Sequence, residues 1–310
     1  MNKVCLCCGR PLQDATSIYW HKACIRRFFG GNEIPTIEIN AVIHDQLAEK
    51  SIEEGISVPG VQKKLSVSLR SSRKTIAYSG DYIIKTSAED KPFLPELEYV
   101  GMKLAEICGF RVVPNGLIRS SGGEWIYITK RIDRLFKDGN TTKIAMEDFA
   151  QLSLTQTEYK YHGSYERCVK NVIKRYSITA TLDTLEFFKM VFFSYIIGNT
   201  DMHLKNFSLI KGNAGYSLSS FYDILPVMMV VDQYEMALTI NGKNQKLTKN
   251  DFLSFAISIG IEKELASKLI QSILNKMDDM FQFVECSPLP KEKREALQNL
   301  IKQRSIPFVN

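Results

Sequence analysis

The chain has 310 residues, 45% of them hydrophobic and 24% charged, which is the composition of a globular protein of one large or two ordinary domains and excludes a disordered or collagen-like chain. Lysine and arginine number 40 against 34 acidic residues, a formal charge of +6 spread along the sequence that permits an acidic partner without demonstrating one. No run reaches the roughly 18 to 20 uncharged apolar residues of a bilayer span. The opening residues also lack a basic start, an apolar centre and a small-residue cleavage site, so the sequence predicts a cytoplasmic protein with no membrane contact.

Seven cysteines is an odd number, and their placement says more than their count. Cys108, Cys168 and Cys286 fall in helical patterns and read as small core residues. Cys5, Cys7, Cys8 and Cys24 crowd the start. There Cys5-x2-Cys8, followed by Gly9, and His21-x2-Cys24 make a knuckle able to offer three thiolates and an imidazole to zinc. The same residues also read as a thiol-rich segment that merely packs, and Cys7 competes as a ligand.

After the breaker Gly30-Gly31-Asn32, residues 41–50 read as a short helix. Strands are expected at 64–69 and 82–85, with Ser72-Arg73-Lys74 as a turn, then at 112–119 and 125–131 around Ser121-Gly122-Gly123. Helical spacing through Val100, Leu104 and Ile107 predicts a helix over 96–108, stopped by Gly109. From residue 147 onward the pattern is helical, over 147–154, 164–175, 182–198, 249–259, 263–283 and 291–303, interrupted by strand-like pieces at 207–210 and 217–221. Leu265, Leu269, Ile273, Met277 and Met280 read as one core stripe of the helix 263–283. The expected fold is α+β: a Cys/His knuckle at 1–30, a β-rich N-lobe at 31–133 and a helical catalytic C-lobe at 134–310, with a shared ligand at the hinge near 130–135.

Chemistry concentrates in Gly198-Asn199-Thr200-Asp201-Met202-His203-Leu204-Lys205-Asn206-Phe207 and in Phe221-Tyr222-Asp223. Phosphoryl transfer needs a carboxylate to orient and deprotonate a hydroxyl and oxygen ligands for magnesium. Asp201 can serve as the base and Asn206 and Asp223 as ligands, although Asp and Asn also favour turns for purely local reasons. Gly55-Ile56-Ser57-Val58-Pro59-Gly60-Val61-Gln62-Lys63-Lys64-Leu65 offers glycine backbone and two lysines to phosphate, and reads equally as an ordinary turn. Lys85 ends an apolar strand, with Glu96 and Glu98 opening the next helix.

In this order, with Thr129-Lys130-Arg131-Ile132-Asp133-Arg134 and Glu147-Asp148-Phe149 between them, these segments resemble the HipA family of bacterial serine/threonine-kinase toxins, and in length the shorter HipT branch. The resemblance implies a bilobal protein kinase-like fold that uses ATP and Mg2+ to phosphorylate a protein serine or threonine, typically on an aminoacyl-tRNA synthetase. It also implies a cognate antitoxin through which DNA is contacted. By matched position it makes Asp201 the catalytic base, Asn206 and Asp223 the magnesium ligands, and Lys85 the phosphate-binding lysine held by Glu98. Pro59, Gly60, Val61, Gln62, Lys63 and Lys64 become the phosphate loop, and Lys130, Arg131 and Ile132 the adenine hinge. His203, Leu204, Lys205 and Tyr222 complete the nucleotide site, and Ser57 is a regulatory autophosphorylation site.

The sequence departs from the family where a His-Gln-Glu-Asp-Phe run stands as Ala145-Met146-Glu147-Asp148-Phe149, where Lys130 replaces an acidic hinge residue, and where one serine stands in place of two in the regulatory loop. Two other readings compete: a small-molecule kinase, and a nucleic-acid-binding module with a degenerate kinase lobe.

Overall fold

A computed structural model describes residues 4–12, 19–37, 64–67, 80–87, 91–137, 140–231 and 234–309. The chain divides into two compact units. The first comprises residues 1–100, 113–132 and 286–289, the second 101–112, 133–285 and 290–310. The expected helix at 41–50, the turn at 72–74, Ser57 and the segment Pro59–Lys63 lie outside the described residues.

The first unit is built on a four-stranded antiparallel sheet of β1 (Lys64–Val67), β2 (Tyr82–Lys85), β3 (Asn115–Arg119) and β4 (Trp125–Lys130), in the order β1-β2-β4-β3. Alternation makes the strands: Leu65 and Val67 on β1 and Tyr82 and Ile84 on β2 turn inward. Pro114 delays the third strand to Asn115, later than the expected 112. The helix Leu94–Ile107, of which residues 94–100 belong to this unit, begins two residues earlier than expected because Pro95, whose missing N–H costs nothing in a first turn, is part of it. Gly109, at φ 84°, follows its end. An eight-residue helix, Lys22–Phe29, closes on Gly30 in the left-handed conformation.

The second unit is mostly helical. Its centre is the helix Ala180–Ile197, whose second half, Met190 to Ile197, is buried on every face and, Ser194 apart, made of apolar and aromatic residues, as an interior helix requires. Around it pack the helices Lys249–Ile259, Lys263–Leu274 and Lys291–Ser305. A hairpin, β5 (Arg134–Lys137) with β6 (Asn140–Lys143), precedes a three-stranded antiparallel sheet of β7 (Met146–Asp148), β8 (Ser208–Lys211) and β9 (Tyr216–Leu218), in that order. Among the described residues, no helix is long and apolar enough to cross a membrane.

Three expectations are corrected. The segment 147–154 is not one helix: Met146–Asp148 pairs with β8, and the helix starts only at Phe149 and ends at Leu152. There the Asp148 carboxylate accepts from Gln151 N–H at 2.8 Å while the Gln151 side chain accepts from Asp148 N–H at 2.9 Å, a reciprocal cap that sets the start. The helix expected over 263–283 is two, Lys263–Leu274 and Met277–Cys286. Its stripe is also rotated, since Leu265 is exposed and Leu269 and Met277 half-buried, while Ala266, Ile270, Ile273 and Leu274 form the buried face of the first piece. The run expected over 164–175 is helical from Tyr165 to Tyr176, but Val169–Ile173 forms a π-turn within it.

Candidate active site

The Asn199–Asn206 loop leaves the central helix at Gly198, a left-handed cap with φ 72°. Backbone and side chains then fix it at several points. Asn206 N–H donates to His203 O at 2.9 Å, and Asn206 Nδ2 donates to Asp201 O at 2.7 Å, closing the loop on itself. Tyr165 hydroxyl donates to Met202 O at 3.0 Å. Phe207, directly after Asn206, sits in an aromatic cluster with ring centroids 4.7 Å from Phe187 and 5.6 Å from Phe149, anchoring the loop's exit to the core. The Asp201 side chain stays 44% exposed on this fixed frame.

The Tyr161 hydroxyl donates to Asp201 Oδ1 at 2.5 Å. Burial, then the neighbouring Asp201 carboxylate, pushes the Tyr161 phenol well above its ordinary range, so it is a neutral donor. Its ring packs edge-on against His203, centroids 4.9 Å apart. His203 Nε2 lies 3.9 Å from Asp201 Oδ1, yet burial outweighs that carboxylate and lowers the imidazole pKa, favouring the neutral ring. Asn199 Nδ2, Thr200 Oγ1 and His203 Nδ1 are buried with no hydrogen-bond partner. Native structures leave few such atoms, and three within five residues flanking one exposed carboxylate mark a place suited to a polar ligand. A cleft of about 730 Å³ opens beside them, lined by Tyr161, Thr200, Tyr234, Met236, Ala237, Asn244 and Gln245.

The β8–β9 hairpin carries the chain from Asn206 to Asp223. Ser219 N–H donates to Ser208 O at 2.9 Å. Beyond it Tyr222 hydroxyl donates to Lys205 O at 3.1 Å and lies 2.6 Å from the Ser208 hydroxyl. Burial raises the Tyr222 phenol pKa, so it too stays protonated. Asp223 adopts φ 60°, a left-handed conformation that a non-glycine residue holds only where its surroundings impose it. Lys205 pairs with Asp148 at 3.3 Å, and Leu204 is buried, its N–H donating to Lys160 O at 3.2 Å. Asp201, His203, Leu204, Lys205, Asn206, Tyr222 and Asp223 thus all belong to the second unit.

In the first unit, Lys85 Nζ meets Glu98 Oε1 at 2.7 Å, and both side chains are almost fully buried. Strand β2 and the helix Leu94–Ile107 supply one charge each, and the Tyr127 ring lies 5.8 Å from the ammonium. Lys64 opens β1, is exposed, and pairs in register with Lys85. At the expected hinge, Lys130 N–H donates to Pro114 O and Arg131 N–H to Asp81 O, both at 2.9 Å, so these two amides are engaged within the fold. The Lys130 ammonium lies over Phe28 and Tyr82 and donates to Arg27 O at 3.3 Å, and burial lowers its pKa.

Cys5, Cys8, His21 and Cys24 converge in the same unit, their ligand atoms all within 4.8 Å of one another. The hydrogen bond between the Cys5 and Cys8 sulfurs brings the Cys5 thiol down to about 4 and pushes that of Cys8 up.

Tyr161 borders Asp201 without having been named from the sequence, while Thr200 and Asp148 were named within their segments but given no role. Asp148 had a signal, the reciprocal Asp-x-x-Gln cap; Tyr161 had none, lying in a polar stretch 40 residues before its partner.

The profile of the family described as "HipA-like C-terminal domain" matches residues 56–281. Among curated proteins, a "Putative kinase" of Haemophilus influenzae is 27% identical over 292 residues, covering 81% of this chain and 84% of its own. "Putative kinase Y4mE" of Sinorhizobium fredii is 28% identical over 237 residues, 72% of this chain and 56% of its own. Among solved structures, HipA in the Shewanella oneidensis complex of HipA, HipB and operator DNA superposes with a TM-score of 0.71 at 18% identity, over 96% of this chain and 79% of its own. The Helicobacter pylori proinflammatory kinase CtkA does so with a TM-score of 0.54 at 14% identity, over 78% and 93%. These two likenesses are of fold.

Proposed function

The chain belongs to the HipA-like C-terminal domain family, and from that premise we propose that it is a toxin-type serine/threonine kinase that transfers the ATP γ-phosphoryl group to a protein hydroxyl. The observation that carries the reading is the buried Lys85–Glu98 pair. Two charges taken out of water cost several kcal/mol each before their attraction returns it, so such a pair is poor support for stability alone and good support for a positioned cation. A strand lysine held by a helical glutamate is how protein kinases grip the α- and β-phosphates.

On this reading the acceptor hydroxyl displaces Tyr161 at Asp201. Asp201 orients the hydroxyl and takes its proton as the new O–P bond forms, while the bond from the γ-phosphorus to the β–γ bridging oxygen breaks and ADP leaves. Asn206 and Asp223 are hard oxygen donors suited to Mg2+. Because Asn206 uses its amide nitrogen within the loop, its carbonyl oxygen is the group left to offer a cation. Bound there, magnesium would neutralise charge on the transferring phosphates. His203, Leu204, Lys205 and Tyr222 shape the nucleotide site, and the Tyr161–Gln245 cleft receives the acceptor segment. Pro59–Lys64 is the phosphate loop, the backbone of Lys130–Ile132 holds adenine, and Ser57 is the autophosphorylation site. The protein target is an aminoacyl-tRNA synthetase, whose phosphorylation slows translation and growth, and an antitoxin partner restrains the enzyme.

A phosphoproteomic comparison of cells expressing the chain and its Asp201→Asn form tests this. The expected result is one or a few serine or threonine sites on a synthetase, absent from the variant. Identical phosphoproteomes, or efficient phosphorylation of small alcohols in place of protein, would overturn it.

A further inference from the structure

We propose that Cys5, Cys8, His21 and Cys24 bind one structural Zn2+, and that this ion holds the cap that covers the open edge of the β3 strand. Three sulfurs and one imidazole, mutually within 4.8 Å, are the donor set and spacing of a closed tetrahedral zinc site.

The surroundings are those of a site already shaped for a metal. His21 Nδ1 faces the sulfurs of Cys8 at 3.4 Å and Cys24 at 3.9 Å, while its Nε2 lies 3.1 Å from Pro11 O. A proton on Nε2, donated to that carbonyl, leaves Nδ1 as the metal-facing lone pair, the outer-shell arrangement that orients ligating histidines. His21 N–H donates to Cys5 Sγ at 3.3 Å, as backbone amides do toward a thiolate. Gly9, at φ 70°, turns the chain so that its N–H donates to Cys5 O at 2.8 Å, a conformation an L side chain adopts at a cost. Cys7, though buried nearby, is not one of the four.

What the ion would hold is visible in the hydrogen bonds around it. β3 lies at the end of the sheet, and Leu117 directs its peptide groups away from β4. Leu117 N–H donates to Leu6 O at 3.0 Å, and Trp20 Nε1 donates to Leu117 O at 2.7 Å. Leu6 stands between two ligands and Trp20 directly before a third, so the ligating residues fix both groups that satisfy the edge. Approach is close: a Cβ on Gly116 would meet the Trp20 ring at 2.4 Å and Leu6 O at 2.7 Å. Open strand edges invite pairing with other chains, and this cap removes the exposure. A segment this short has little core of its own, and a metal is the usual staple.

Metal binding displaces the thiol protons, so the cluster enters the site as thiolates. The test uses the full chain, purified without chelator. Elemental analysis should find about one zinc per chain. Replacing it with Co2+ should give the visible d–d bands of tetrahedral thiolate ligation. Stripping the metal should red-shift Trp20 emission in a Trp125→Phe background, and should speed amide exchange several-fold at 115–119 while leaving 249–305 unchanged. Cys7→Ser should keep the metal and Cys8→Ser should lose it. Where Cys8→Ser fails to fold, the cobalt spectrum of the unsubstituted chain decides. Metal-free protein, octahedral cobalt bands, or exchange at 115–119 indifferent to stripping would overturn the proposal.

Discussion

The hydroxyl of Tyr161 donates to a carboxylate oxygen of Asp201 at 2.5 Å, so on the proposed role of Asp201 an incoming acceptor would compete with a side chain of the protein itself. Tyr161→Phe removes the competitor and keeps the ring on His203. The acceptor KM should fall, by roughly fivefold if the displaced bond is worth about 1 kcal/mol net, with the ATP KM unchanged. Steady-state kinetics with each substrate varied in turn checks this; a higher acceptor KM would mean that Tyr161 orients the acceptor.

Lys85→Ala should abolish transfer and also cost about 3–5 kcal/mol of stability, because it strips the cation from a carboxylate that is 1% exposed. Lys85→Met with Glu98→Leu should recover most of that stability and none of the activity. Urea unfolding beside a transfer assay separates the two effects, and a double variant no more stable than Lys85→Ala would show the pair to be structural.

Asp201→Asn and Asp223→Asn should both lose most phosphoryl transfer, but only the second should weaken nucleotide binding, since only the second removes a proposed magnesium ligand. Asn suits the Asp223 backbone, because it tolerates the left-handed conformation. Asp223→Ala should therefore be about 1 kcal/mol less stable than Asp223→Asn. Calorimetric titration with Mg-ATP and thermal unfolding check the two halves.

Burial holds the Glu96 carboxyl above its ordinary pKa, and its Oε2 is buried with no hydrogen-bond partner. A carboxyl whose pKa rises on folding contributes stability that is full below the unfolded value, near 4.5, and is lost as pH climbs through the folded value. Glu96→Gln carries no such charge, so its stability relative to the unsubstituted chain should increase from acid to neutral pH. Urea midpoints measured across that window check the sign, and a constant difference would place the cost of Glu96 elsewhere.

Elements whose ends are local chemistry were legible in the sequence. The helix Lys249–Ile259 stands where expected because Thr248 and Asp251 cap its start and Gly260 its end. β7 was not, because Met146–Asp148 becomes a strand only by pairing with β8 some 60 residues later. The β5–β6 hairpin had a weak signal, because β5 has only Leu135 and Phe136 as apolar residues and its partner Asn140–Lys143 is polar throughout. At the site, spacing pointed to the Asp201–Asn206 loop because its residues are close in sequence. The link from Tyr161 to Asp201 and the hinge amides already engaged by Pro114 and Asp81 depend on tertiary neighbours that no spacing encodes.

The β8–β9 hairpin has a practical use that follows from its shape. Its two ends are fastened, at Ser208 to Ser219 and at Lys205 to Tyr222, whereas its tip, where Gly212 N–H donates to Gly215 O, is mostly exposed. Lengthening such a tip costs only about 0.6 kcal/mol per doubling of the loop, and the fastened ends keep the strand register. A reporter or affinity handle spliced between Asn213 and Ala214 would travel with the loop while Asn206 and Asp223 stay in place, giving a labelled enzyme for following a partner's arrival.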